Sequence, residues 1–121
     1  AITSEPLDPA AFIHEVGGTP ADGAVATFIG LVRDHNQGRT VRFLEYEAYQ
    51  PMAENMLHQI AQEVRERWSI EDMAIAHRVG KLGIGEISLV VALASPHRKE
   101  AFEAAQYAMD RIKTVHRFYV L

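Results

Sequence analysis

One apolar run constrains the fold of this chain more than any other feature of its sequence. Residues 86–94 read EISLVVALA, the most apolar strand candidate in the chain. Such a run is typical of a strand that is buried on both faces, so we predict that it lies in the centre of a sheet. Ser95 and Pro96 follow it and favour a helix start, with serine at the N-cap and proline in the first turn. The predicted helix extends from Pro96 to about Lys113.

The other predicted elements alternate around this strand. Further helices are predicted from Pro9 to Val16, between an Asp8 N-cap and Gly17, and from Pro51 to Trp68. Two strands are predicted at residues 24–32 and 41–49, paired as a hairpin. A third is predicted at 73–79 and is joined to the apolar run by a turn at 80–85. A short last strand is expected after Lys113. These short connections favour antiparallel pairing. We therefore predict a single α+β domain over residues 1–121, mainly antiparallel sheet with helices packed on it.

Both long helices have apolar residues at a spacing of three and four, which predicts one buried face on each. The expected buried residues are Ala53, Met56, Leu57, Ile60, Ala61, Val64 and Trp68 in the first helix, and Ala101, Phe102, Ala105, Met109 and Ile112 in the second. In a chain of 121 residues these faces predict one compact core.

Composition excludes several functions. The net charge of −4 does not favour binding of nucleic acid or of an acidic membrane surface. No stretch approaches the roughly 20 apolar residues of a membrane helix, and the first residues lack a basic start and an apolar signal core, so a cytoplasmic protein is expected. The chain has no cysteine, which excludes a thiolate nucleophile or a persulfide of its own. Its six histidines form no HxH or HExxH pattern, and neither a metal site nor a bound cofactor is expected.

Two polar segments stand where anions are often held. Arg33 begins the segment RDHN after a predicted strand, and His97 and Arg98 stand where another predicted strand meets a helix. Strand ends and helix N-termini can combine backbone donors with positive side chains. Purely structural roles, helix capping and a solvated turn, explain these two segments equally well. The position of Lys113 near a helix C-terminus is likewise explained by a favourable interaction with the helix dipole.

Taken together, these segments make the sequence similar to the large, catalytic subunit of molybdopterin synthase from Gly23 to Thr114. The matching residues are Gly23-Ala24-Val25, Phe28, Gly30, Val32-Arg33, Asn36, Gly38, Leu44 to Tyr49, Met52-Ala53, His77 to Gly80, Gly85-Glu86, Ser95, His97-Arg98, Ala101 to Ala104, Asp110 and Lys113. No single piece is decisive, but their order and spacing are specific.

The resemblance implies a hammerhead-like α+β fold and transfer of sulfur to cyclic pyranopterin monophosphate, which makes the dithiolene of molybdopterin. The sulfur is implied to arrive on the thiocarboxylated C-terminus of a small ubiquitin-like subunit, in agreement with the lack of cysteine. By position, Lys113 is implied to be catalytic, and Arg33, His97 and Arg98 to bind the anionic pterin. Phe28 and Met109 are implied to line the pocket.

The resemblance ends after Thr114. Family members continue with a Pro-x-Trp-Lys-Lys-Glu-like segment that supplies a second lysine, whereas this chain reads VHRFYVL. Arg117 can replace the charge but cannot donate a proton near neutral pH. A frameshift, a truncated reading frame and a natural short variant are all consistent with this ending.

Two other functions remain open from the sequence. One is a pterin- or partner-binding module that has lost turnover with the tail, and the other is an unrelated phosphate-binding domain, which the absence of a P-loop makes less attractive. Helix geometry adds a constraint, because His97 and Lys113 are sixteen residues apart, or roughly 24 Å along one helix. We therefore expect a homodimer whose two sites each combine Lys113 and Arg33 of one copy with His97 and Arg98 of the other.

Overall fold

The computed structural model describes residues 1–36, 39–40, 43–46 and 50–113. The helices are α1 (Pro9–Val16), α2 (Gln50–Trp68) and α3 (Arg98–Lys113). The strands are β1 (Ile2–Thr3), β2 (Ala24–Leu31), β3 (His35–Asn36), β4 (Arg39–Thr40), β5 (Phe43–Tyr46), β6 (Met73–Arg78), β7 (Gly80–Gly83) and β8 (Ile87–Ser95). The short strand expected after Lys113 lies outside the described residues.

The main sheet has four strands in the order β1-β6-β8-β2. β8 is antiparallel to both of its neighbours, and its residues from Ser88 to Ser95 are all buried. The prediction that this apolar run forms a central strand is therefore confirmed. The sheet is mainly antiparallel, as expected, but the unpredicted β1 pairs parallel to β6.

Helices cover both faces of this sheet, which confirms the α+β class. On one face, α2 and α3 pack over the largest core cluster, in which Ile60, Leu93 and Ile112 are almost fully buried. On the other face, Phe12 and Val16 of α1 pack against Ala74 and Ala92. Asp8 caps α1 by accepting a hydrogen bond from the Ala10 N–H at 3.1 Å, as the sequence predicted. Within the described ranges, no helix is long and apolar enough to cross a membrane.

The predicted hairpin between residues 24–32 and 41–49 is wrong. β2 pairs with β8 along its whole length, and β5 pairs with β7. The polar segment after β2 instead forms the two-residue ladder of β3 with β4, so it does not return the chain along β2. The predicted turn at 80–85 is correspondingly shorter, because residues 80–83 form β7 and the chain turns at Ile84 and Gly85.

The start and the buried face of α3 also differ from the prediction. Ser95 is the last residue of β8, 1% exposed, and the helix begins three residues later at Arg98. Phe102, expected in the core, is 70% exposed. The buried face consists of Ala101, Ala104, Ala108 and Ile112. Small side chains on this face let the helix approach the sheet closely, and Phe102 is rotated by about 100° from Ala101.

Candidate active site

The pairing of β2 with β8 separates the predicted site residues into two groups. Ala24 lies opposite Ser95 and Leu31 lies opposite Ile87. The eight residues of β2 therefore carry the chain about 24 Å along the sheet. His97 and Arg98 stand at the end where β2 begins, and Arg33 stands just beyond the end where β2 finishes.

The first group occupies a tight corner between β8 and α3. The Gly23 N–H donates to the carbonyl of Ser95 at 3.0 Å, and the Ser95 hydroxyl accepts from the His97 N–H at 3.4 Å. A Cβ on Gly23 would lie 2.6 Å from the Pro96 carbonyl oxygen, so only glycine allows the two segments to approach this closely. The corner presents His97 and Arg98 on the surface at the start of α3.

The second group lies along β2 and the far end of α3. The helix starts at the corner, packs on both β8 and β2, and rises about 24 Å over its sixteen residues, so it carries Lys113 toward the end where β2 finishes. Met109 and Lys113 are four residues apart and share one stripe of the helix. Met109 packs against the largest core cluster, whereas Lys113 is exposed.

Phe28 lies on the same side of the sheet as α3. It shares the face of Ala24 and Ala26, which pack against the core under the helices, because alternate residues of a strand point the same way. Its side chain remains 43% exposed. Phe28, Met109 and Lys113 are thus placed on one side of the sheet, with an apolar ring, a thioether and an ammonium group available to a ligand.

A braced turn holds the segment that leads to Arg33. The Val32 N–H donates to the Glu86 carbonyl at 3.0 Å, and the Val32 carbonyl accepts from the Gly85 N–H at 2.7 Å. The Glu86 carboxylate accepts from the Gly83 N–H at 2.7 Å and pairs with Arg78 at 2.5 Å. The Gly83 hydrogen bond and then Arg78 lower the pKa of the Glu86 carboxyl. Arg33 itself is exposed at the edge of this turn.

A polar cluster between α2 and α3 was not predicted. Glu63 accepts hydrogen bonds from the Tyr107 hydroxyl at 2.6 Å and from Arg111 at 2.8 and 3.1 Å. The Arg111 and Tyr107 hydrogen bonds lower the pKa of Glu63 to about 2. Trp68 packs edge-on against Tyr107 with ring centroids 5.4 Å apart. Glu63 and Arg111 are 48 residues apart in sequence, so no local pattern could have signalled this contact.

The structure therefore places Phe28, Met109 and Lys113 on one side of the sheet, while the length of α3 separates Lys113 from Arg98 by about 22 Å along the helix axis. Both places carry positive side chains suited to anions. Among the residues described, no three His, Asp or Glu side chains are grouped closely enough to hold a metal ion.

Known proteins resemble this chain over most of its length. The family described as MoaE protein matches residues 2–115. A molybdopterin synthase catalytic subunit from Bacillus subtilis is 51% identical over 115 residues, covering 94% of this chain and 72% of the relative. One from Halalkalibacterium halodurans is 47% identical over 96 residues, covering 79% of this chain and 62% of the relative. A crystal structure of molybdopterin synthase from Staphylococcus aureus superposes with a TM-score of 0.88 at 40% identity, over 97% of this chain and 85% of that one. The chain belongs to the MoaE family, whose matched members are molybdopterin synthase catalytic subunits.

Proposed function

We propose that this chain is the sulfur-transferring subunit of a molybdopterin synthase and acts on cyclic pyranopterin monophosphate. Family membership supports the thiocarboxylated C-terminus of a small ubiquitin-like subunit as the sulfur donor, and the absence of a thiol in this chain agrees with it. Family membership supports the reaction. The proposed location of the active site rests on one observation: Met109 and Lys113 share a stripe of α3 on the same side of the sheet as the exposed ring of Phe28.

Lys113 is assigned the catalytic role. Once the sulfur has bonded to the precursor, water adds to the acyl carbon and negative charge develops on the acyl oxygen. As that charge collapses, the bond between the acyl carbon and sulfur breaks, which leaves a carboxylate on the small subunit and the sulfur on the precursor. An ammonium group held beside that oxygen stabilises the charge and can supply a proton. Lys113 is exposed on the last turn of α3, where an inserted peptide end can reach it.

Arg33, His97 and Arg98 are assigned to the anionic pterin, with Phe28 and Met109 lining its pocket. Guanidinium groups bind phosphate through paired donors, and a helix N-terminus such as that of α3 adds backbone N–H groups. The distance of about 22 Å along the helix between Arg98 and Lys113 is too long for one pterin to bridge. Each site therefore combines Lys113 and Arg33 of one copy with His97 and Arg98 of a second copy in a homodimer.

A non-catalytic pterin- or partner-binding module is the second candidate. The relatives matched at about half identity are catalytic subunits, which favours the enzyme. The tail on which the alternative depended, residues 114–121, lies outside the described residues. We place the reaction in the cytoplasm, without a bound cofactor.

Reconstitution of the reaction tests this function. The chain is mixed with thiocarboxylated small subunit and precursor, and molybdopterin is measured together with the melting temperature. Lys113→Ala should abolish product formation. It should lower the free energy of unfolding by only a few tenths of a kcal/mol, which is the usual contribution of a lysine that interacts with the dipole at a helix C-terminus. Lys113→Arg keeps the charge but cannot donate a proton near neutral pH, so it should also be inactive if protonation is required. Wild-type turnover by Lys113→Ala would remove the residue from catalysis.

A further inference from the structure

Glu63 joins α2 to the end of α3 that carries Lys113. Its carboxylate accepts from the Tyr107 hydroxyl on one turn of α3 and from the Arg111 guanidinium on the next. Gln59 donates to the same carboxylate at 3.2 Å from one turn earlier on α2. Side-chain exposures of 25% for Glu63 and 27% for Arg111 show that the contact is partly shielded from water. Charge-assisted hydrogen bonds in such a place are stronger than exposed ion pairs.

One stripe of α3 contacts α2, and a different stripe carries Lys113. Tyr107 and Arg111 are four residues apart and share the stripe that faces α2, and Met109 and Lys113 share another. Two residues correspond to a rotation of about 200°, so the second stripe lies almost opposite the first. Ile112, 1% exposed, points into the core between them. A helix held on the Arg111 side therefore presents Lys113 on the side away from α2.

The layer arrangement shows what lies on that other side. α2 packs on β6 and β1, whereas α3 packs on β8 and β2. β2 is the last strand of the four-stranded sheet, so the side of α3 away from α2 is the side of the sheet edge at β2. The anchored rotation of α3 thus directs Met109 and Lys113 to the edge where Phe28 is exposed.

The last turn of a helix needs such an anchor. Its final carbonyl groups have no partner within the helix, and helix ends fray when packing does not hold them. Lys113 is the last residue of α3, and Arg111 stands two residues before it. The bidentate contact to Glu63 is made by the turn that carries Lys113.

We propose that Glu63 is a positioning residue for Lys113: through Tyr107 and Arg111 it fixes the rotation and the last turn of α3, so that the Lys113 ammonium is held at the sulfur-transfer site. This inference rests on the proposed function. The lowered pKa of Glu63 is consistent with a carboxylate that stays ionised and in contact throughout the working pH range.

The test compares Glu63→Gln with Glu66→Gln in the reconstituted complex with thiocarboxylated small subunit and precursor. Glu66 is on the same helix, is exposed, and accepts a hydrogen bond from Gln62 one turn earlier at 3.3 Å. Glu63→Gln should lower kcat about 10- to 100-fold, the range expected when a reacting group is misplaced by about 1 Å, and leave KM for the precursor within about twofold. Amide hydrogen exchange should accelerate at residues 111–113. Glu66→Gln should match the wild type in all three measurements.

A merely structural role for Glu63 would lower the melting temperature without changing kcat per folded molecule below the transition, and that result would overturn the proposal. If Glu63→Gln does not fold, Tyr107→Phe removes one of the donors and should give a smaller loss of kcat with the same faster exchange; wild-type kcat in that variant would equally overturn it. Lys113→Ala is assayed in parallel. Activity in Lys113→Ala would refute the proposed role of Lys113 itself, whereas an inactive Lys113→Ala beside a fully active Glu63→Gln would refute only the positioning role.

Discussion

Ala24 lies directly opposite Ser95 in the antiparallel ladder of β2 and β8. Because of this register, His97 and Arg98 follow the end of β8 at one end of the sheet, and Arg33 follows the end of β2 at the other. α3 then spans the distance between Arg98 and Lys113. One copy of the chain therefore holds His97 and Arg98 at one end of the sheet, and Arg33 and Lys113 toward the other.

Complementation between inactive variants tests whether two copies share each site. A dimer of one Lys113→Ala copy and one Arg98→Ala copy has one site with both mutations and one site with neither. With free exchange half of the dimers are mixed, so at a precursor concentration too low to occupy Arg98→Ala sites we expect about a quarter of wild-type activity from an equal mixture of the two variants. Product formation after exchange is the measurement. A protein that is monomeric in solution, or that fails to complement after proven exchange, would contradict the shared site.

Arg33 and Arg98 should contribute to precursor binding rather than to stability. Each is exposed, and replacing either with alanine should weaken precursor affinity by about 1.5–3 kcal/mol, the range for a hydrogen bond to a charged group. Titration calorimetry with the precursor measures this change. Arg65→Ala is the matched control, because Arg65 is an exposed arginine on α2 outside the proposed site. Equal precursor affinity in all three variants would show that Arg33 and Arg98 are solvated surface residues with no role in precursor binding.

Local sequence signals predicted the elements of this fold well. Asp8 caps the start of α1 and Gly17 follows its end, as predicted, and the apolar run at 86–94 forms the buried central strand. These features depend on residues that are near each other in sequence, so composition and spacing carry them. The same holds for the buried stripe of Leu57, Ile60 and Val64 on α2.

Contacts between distant segments could not be predicted in this way. β2 was predicted to pair with residues 41–49, but it pairs with β8, which begins more than fifty residues after β2 ends. Phe102 fits an apolar periodicity but lies outside the face that alanines allow to approach the sheet. Glu63 is one of many glutamates until α3 is packed beside α2, when Tyr107 and Arg111 reach it. Each of these outcomes is decided by packing across the fold rather than by local propensity.

Gly23→Ala should destabilise the corner that carries His97 and Arg98. The new Cβ would lie 2.6 Å from the backbone carbonyl oxygen of Pro96, which cannot move without shifting the chain. Such overpacking costs about 1–3 kcal/mol, and the displaced corner should also weaken precursor binding. Gly30→Ala is the comparison, because its Cβ would lie 3.3 Å from its nearest neighbour, the Leu89 Cβ, which needs to shift by only a few tenths of an ångström. Urea unfolding should show the larger loss for Gly23→Ala; equal losses would contradict this account.

The Glu63 carboxylate should make part of the stability of the fold dependent on acid pH. Its pKa is lowered from 4.5 in the unfolded chain to about 2 by the hydrogen bonds from Arg111 and Tyr107. A further charged group, the Arg67 guanidinium, lies 4.6 Å from the centroid of the Tyr107 ring. A carboxyl group with a lowered pKa in the folded state stabilises fully above its unfolded pKa, and this contribution is lost as pH falls through the folded value. The free energy of unfolding of the wild type should therefore exceed that of Glu63→Gln by about 1.5–3 kcal/mol near neutral pH. The difference should shrink as pH falls below about 4.5 and be lost as pH falls below about 2. Urea unfolding at a series of pH values measures it, and because the pKa of Glu86 is also lowered, only the difference between the two proteins isolates Glu63. Glu66→Gln should follow the wild type at every pH, and a Glu63→Gln difference that stays constant down to about pH 2 would show that the carboxylate is not ionised and paired as the structure has it.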